Sequence, residues 1–226
     1  MPAQAMPSSG GEPQQPKTCD ASGMAMIHRV FRSGFGEGSD LVRAVRAGDT
    51  AHADAVATQL NMLSVSLHAH HEGEDARLWG PLEERAPACA VHVERMKKQH
   101  AEMLVHLREL DRALPAWRTA ASDPDAVLQA LDGINAALAV HLPDEEENIV
   151  PVMETTITEK EADWFSEHGR RATPKGQTWN MIGTVLRAQP DPDAFLREEF
   201  PPPFRLVWRM IGRSRYEKNR ALIEGR

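Results

Sequence analysis

The sequence predicts an all-α protein: an antiparallel up-down-up-down four-helix bundle with a C-terminal extension of short helices. Three observations carry this. Four long segments repeat apolar residues in steps of three and four, the rhythm of one helix face. Ala, Leu, Val, Glu and Arg dominate while aromatics reach only 5%, a balance that favours helices over strands. The chain of 226 residues has room for four such helices and an appendage, and the short connections make successive helices antiparallel.

Residues 1–22 are rich in Pro, Gln, Ser and Gly and are expected to form a disordered tail that includes Cys19. Residues 23–154 are expected to form the bundle, and residues 155–226 the helical extension. Helix one is expected from about Ser22 to Ala47, with the stripe Met24, Ile27/His28, Phe31, Phe35, Gly38, Val42 and Val45. The glycines at 34, 36 and 38 predict a bend or break, each costing roughly 1 kcal/mol against alanine. Helix two is expected from about Ala51 to Trp79, on Val56, Leu60, Leu63 and Leu67, with Gly80-Pro81 as its stop. Helix three runs from about Pro87 to Leu114, on Cys89, Val93, Met96, His100, Met103, Leu107 and Leu110, with Pro115 as its stop. Helix four begins at a cap in Ser122-Asp123-Pro124 and follows Leu131, Ile134, Leu138, His141, Glu145, Ile149 and Val152, with a kink expected at Pro143. Thr158-x-x-Glu161 is a capping-box signature for a short helix to about Arg171. Prolines at 174, 192 and 201–203 separate further short segments.

Several function classes are disfavoured. The formal net charge of −7 gives no reason to expect nucleic acid as a partner. No apolar run approaches the ~20 residues of a membrane span, and the N-terminus lacks the features of a signal peptide, so a cytoplasmic protein is expected. Cys19 and Cys89 form neither a Cys-x-x-Cys motif nor a disulfide framework. No separate acid–base or nucleophile constellation stands out, so any catalysis would belong to a metal, and no organic cofactor site is expected.

The chemistry lies where polar residues occupy core positions. His28, His70 with Glu74, His100, and His141 with Glu145 all fall on apolar stripes. In an antiparallel bundle they share one end, and at about 1.5 Å per residue their depths differ by about two turns. Singly, each histidine would more often be an ordinary core histidine. Agreement in depth and face across four helices reverses that judgement. Residues four apart stack on one helix face, so each His-x-x-x-Glu pair can ligate together. Four histidines and two carboxylates with no thiolate suit iron better than structural zinc and exceed the needs of one tetrahedral ion. Two iron ions joined by an oxo or hydroxo bridge fit, with Glu74 and Glu145 bridging and one position left for an exogenous ligand. His71 and Glu146 are held as additional candidate ligands. Glu72 and Asp75 read as surface charges, and His52, His68, His92, His106 and His168 as surface histidines.

Four blocks in order carry a resemblance: His28 within Ile27-His28-Arg29-Val30-Phe31-Arg32, His70-His71-x-x-Glu74-Asp75, His100 alone on the third helix, and His141-x-x-x-Glu145-Glu146 followed by Pro151. From about Met24 to Met153 the chain resembles the hemerythrin-like, or HHE cation-binding, family. The resemblance implies a non-haem di-iron centre in a four-helix bundle, with functions from dioxygen binding to sensing or detoxifying oxygen, nitric oxide or peroxide. Two positions depart from the oxygen carriers of that family. Their second helix-three histidine is here Leu104, which leaves one iron short of a nitrogen unless His71 supplies it. Their helix-four aspartate, five residues after the histidine, is replaced by Glu145 or Glu146, the closer spacing favouring Glu145.

The expected function is therefore a di-iron protein that binds or reacts with dioxygen, peroxide or nitric oxide; as an enzyme it would be an oxidoreductase of catalase-like, peroxidase-like or nitric-oxide-handling type. A sensor acting through its C-terminal extension and a metal-free or zinc-filled structural bundle are the alternatives. Residues 204–220 form a basic amphipathic segment that a protein partner or a membrane surface could take, but packing of its apolar face on the acidic bundle is the favoured expectation.

Overall fold

The computed structural model describes residues 16–226, and helices are the regular elements among them. The first long segment is split into α1 (Ser22–Gly36) and α2 (Gly38–Ala44), followed by α3 (Thr50–Arg77), the short α4 (Trp79–Arg85) and a 3-10 turn at Pro87–Cys89. The long helices α5 (Ala90–Ala120) and α6 (Asp125–Asn148) precede the short α7 (Val150–Thr156). The extension comprises α8 (Glu159–Ala172), α9 (Thr178–Ala188), α10 (Pro192–Glu199), α11 (Pro202–Val207), a π-helical turn at Trp208–Gly212, and α12 (Arg213–Ile223).

Helix α1 packs on α3 and α6, and α5 packs on the same two helices, which closes a four-membered ring. Its interior holds two apolar clusters. One includes Phe31, Leu67, Met103 and Leu138; the other includes Met24, Leu78, Met96 and Ile149. On each of the four helices, the polar core positions fall between a residue of one cluster and a residue of the other. The bundle is thus an apolar stack interrupted by one polar layer.

The glycines of the first segment serve packing as well as bending. The break falls at Glu37, whose N–H still bonds Ser33 O at 3.2 Å. A Cβ on Gly34 would stand 2.7 Å from Leu63 Cδ1, so the missing side chain lets α3 approach α1.

Three expected boundaries are corrected. Pro115 does not stop helix three: α5 continues to Ala120, because Trp117, 4% exposed, anchors the last turn in the core and outweighs the lost backbone bond. Ala121 ends it in the left-handed region, at φ 46°. Gly80-Pro81 begins rather than ends a helix. The chain breaks two residues earlier, at Leu78, and Pro81 falls in the first turn of α4, where its missing N–H is not needed. No side chain caps α6, so Ser122 and Asp123 are not its cap. The capping box of Thr158 and Glu161 on α8 is present, and α6 runs helical through Pro143.

Of the expected tail, residues 1–15 lie outside the described residues. The remainder packs on the bundle. Thr18 N–H bonds Glu154 O and its hydroxyl bonds Ile157 O, both at 2.7 Å, while Cys19 and Ala21 are buried in the second apolar cluster. Cys19 is therefore a core residue.

The extension wraps the α1–α3 side. Helix α8 lies on α3, α9 on α1, and α12 on α3 and α9. Ile223 enters the main core, and its carbonyl accepts from His52 Nε2 at 2.9 Å, so His52 is buried and not a surface histidine. The Arg220 guanidinium grips Glu37 at 2.6 and 2.7 Å. The apolar face of the 204–220 segment is only partly covered. Trp208 is buried with Leu186 and Leu196, whereas Leu206, Val207, Met210 and Ile211 are exposed.

Arg220→Ala should lower stability by about 1–3 kcal/mol, the range for losing hydrogen bonds to a charged group. It should also raise amide exchange in residues 213–223 before the bundle opens. Unchanged exchange there would contradict the anchoring role of the Arg220–Glu37 pair.

Candidate metal centre

Helix α1 contributes His28 to the polar layer, α3 contributes His70, His71 and Glu74, α5 contributes His100, and α6 contributes His141 and Glu145. All are buried except His70, whose side chain keeps 10% exposure. The six stripe residues converge as their spacing predicts. His71 joins them. Consecutive helical residues diverge by about 100°, so His70 turns toward α1 while His71 turns toward α5. His71 stacks on His100, with ring centroids 4.1 Å apart, and meets His141 edge-on at 5.1 Å.

The donor atoms form overlapping groups, each within 4.8 Å: His28, His70 and Glu145; His71, His100 and His141; and His70, His71 and Glu74. Each carboxylate reaches a histidine of both main groups. Glu74 Oε1 lies 3.3 Å from His70 Nε2, and its Oε2 lies 3.5 Å from His100 Nε2. Glu145 Oε2 lies 3.2 Å from His28 Nε2 and 3.5 Å from His141 Nε2. Both carboxylates and the Nε2 atoms of His71, His100 and His141 are buried with no hydrogen-bond partner. Leaving such groups unpaired is costly, and a cation supplies what they lack.

Charge points the same way. Burial and the neighbouring Glu145 push Glu74 well above the carboxylate range. Burial also opposes the charge of Glu145, but the His28 imidazole, 3.2 Å away, outweighs it and holds this group well below that range. Two adjacent buried carboxylates do not both ionise without positive charge between them. Burial, aided by neighbouring imidazoles, holds His70 and His71 well below the usual imidazole range, and burial takes His141 down to about 4. These imidazoles are neutral, the form that binds metal.

Three histidines are oriented from behind. His28 Nδ1–H donates to Glu146 at 2.8 Å, His100 Nδ1–H to Asp75 at 2.8 Å, and His141 Nδ1–H to Gln99 Oε1 at 3.0 Å. Each bond fixes the tautomer and turns the Nε2 lone pair inward. Glu146 thus stands behind His28, outside the three donor groups. Arg32 grips it at 2.9 and 3.0 Å, and the His28 hydrogen bond, with Arg32, brings its carboxyl down to about 2. Asp75 is more than a surface charge: it also accepts from Trp79 Nε1 at 2.7 Å. Gln99, which donates to Asp144 at 2.9 Å, had only its place beside His100 as a signal. Leu104 is half-buried outside these groups. Glu72 is exposed as expected, while His168 is half-buried and stacks on Trp164 at 4.7 Å, which corrects its reading as a surface residue.

Residues 21–170 match the hemerythrin HHE cation binding domain. The chain belongs to the hemerythrin HHE cation-binding family. The match covers the whole bundle of this HHE protein and most of α8, so it reaches past residue 154. No curated protein and no solved structure matches the chain. No helix among the described residues is long and apolar enough to cross a membrane.

Asp75→Asn should weaken metal retention by about 10–100-fold, the usual effect of losing an orienting partner, with helix content unchanged. Competition against a chelator measures this; unaltered retention would show that Asp75 does not hold His100 for a metal.

Proposed function

We propose that this HHE protein is a non-haem di-iron protein that binds or reacts with dioxygen, peroxide or nitric oxide, in handling oxidative or nitrosative stress. The observation that carries the reading is the pair of carboxylates, each placed against both histidine groups. His28 and His70 would hold one iron, His71, His100 and His141 the other, with Glu74 and Glu145 shared. Donors of nitrogen and oxygen without thiolate suit iron, and Cys19 and Cys89 are engaged with the carbonyls of Met153 and Leu82. His71 supplies the nitrogen that Leu104 does not. The iron pair, when bound, supplies redox chemistry and a coordination position for a small ligand.

The chain's own residues do the rest. Glu146, Asp75 and Gln99 hold three imidazoles with their lone pairs inward. Phe31, Leu67 and Leu138 on one side and Leu78, Met96 and Ile149 on the other keep bulk water from the layer. The split leaves the His28–His70 side with fewer protein donors. His70 also lines a cavity between the bundle and α8, which supports approach of a small ligand from that side.

Anaerobic iron(II) titration of the full chain should end at two ions per chain, and exposure to dioxygen, peroxide or nitric oxide should then change the absorption spectrum. His71→Ala should retain about one ion per chain, since one of the two sites loses a nitrogen. Titration ending below two ions in the unaltered protein, or full iron retention in the variant, would overturn the assignment.

A further inference from the structure

The cavity beside His70 has a volume of about 200 Å³ and is larger than a diatomic ligand needs. It lies between α1 and α3 of the bundle and α8 and α9 of the extension. Its walls are largely apolar, from Met24, Ile27, Met153, Phe165, Met181 and Val185. An engineered apolar cavity of about 150 Å³ takes up benzene, so this volume admits a substituted aromatic ring.

One polar group of the wall is unmatched. His168 lines the cavity, and its Nε2 is buried with no hydrogen-bond partner. The ring is held in place: it lies parallel to Trp164 within 15°, and Arg77 of α3 covers the Trp164 ring at 4.6 Å. The edge of the imidazole faces Gly73, another wall residue, where a Cβ would stand 3.3 Å from His168 Cδ2. Glycine here lets the α8 ring pack close against α3 at the wall of the cavity. The charged wall residues, Asp20 and Arg170, are exposed, and the buried wall carries no carboxylate or cationic side chain.

We propose that this cavity is a binding site for a small uncharged aromatic or alkyl molecule bearing one hydroxyl, with the hydroxyl bonded to His168 Nε2. Its body fills the apolar space and contacts His70. Binding does not depend on the iron reading, because the cavity and His168 are formed by the chain itself; the consequence is that an organic molecule is held next to the metal centre.

The probes are 4-ethylphenol, ethylbenzene, which lacks the hydroxyl, and 4-ethylbenzoate, which is charged. Calorimetric titration of the full chain as purified should show binding of 4-ethylphenol about tenfold tighter than ethylbenzene, the increment of one hydrogen bond, and no binding of 4-ethylbenzoate. His168→Phe should remove that tenfold difference while ethylbenzene still binds. Ala162→Phe on α8 and Val185→Phe on α9 should each abolish binding of both. Circular dichroism and metal content of the same samples report whether the bundle is intact and whether the metal reading holds. No binding of 4-ethylphenol by the unaltered chain would overturn the proposal. So would an undiminished preference for it in His168→Phe, or unchanged binding in both filled variants when their helix content is preserved.

Discussion

Glu74 and Glu145 are buried side by side in the middle of a helical bundle, and the rest of the structure is arranged around that fact. Neither has a hydrogen-bond partner, and the imidazoles that surround them are mostly neutral. An apolar core would cost far less to form here. The bundle keeps an apolar cluster on each side of the layer and supplies it with donors from four helices. Such a layer is stable against the cost of its own burial when a cation neutralises it, which is the physical content of membership in a cation-binding family.

The outer bonds show how the layer is kept in form. Glu146, Asp75 and Gln99 stand one residue from Glu145, Glu74 and His100 on their own helices, yet each holds a histidine of a different helix. The three bonds therefore tie α6 to α1, α3 to α5, and α5 to α6. The same contacts that orient the imidazoles also fix the register of the bundle, so ligand placement and fold stability are coupled. The extension adds to this through Arg220 on Glu37 and α8 on α3, and it encloses the cavity at His70.

Most of the layer was legible in the sequence because helical periodicity is a strong signal over long segments. His28, His70, Glu74, His100, His141 and Glu145 interrupt apolar stripes at matching depth, and the structure brings them together. Periodicity could not rank His71, since a residue next to a stripe faces core or solvent according to which neighbour lies beside it. Here α1 and α5 flank α3 on both sides, and the two adjacent histidines serve one each. Asp75 is exposed and Gln99 half-buried beside the stripes; only tertiary geometry shows that their tips reach inward. Local stop signals misled where burial dominated. Pro115 was overridden by Trp117, and the polar composition around Cys19 concealed a segment that packs on Glu154 and Ile157. The residues lining the cavity come from five helices, and no spacing rule in the sequence joins them.

We propose above all that five histidines divide as two and three between a pair of irons that share Glu74 and Glu145. Mössbauer spectroscopy of the full chain loaded with iron-57 and oxidised tests this most directly. Two quadrupole doublets of equal area are expected, from inequivalent, magnetically coupled ferric ions with a diamagnetic ground state. A single paramagnetic ferric species with magnetic splitting at low temperature would mean one isolated ion per chain and would contradict it.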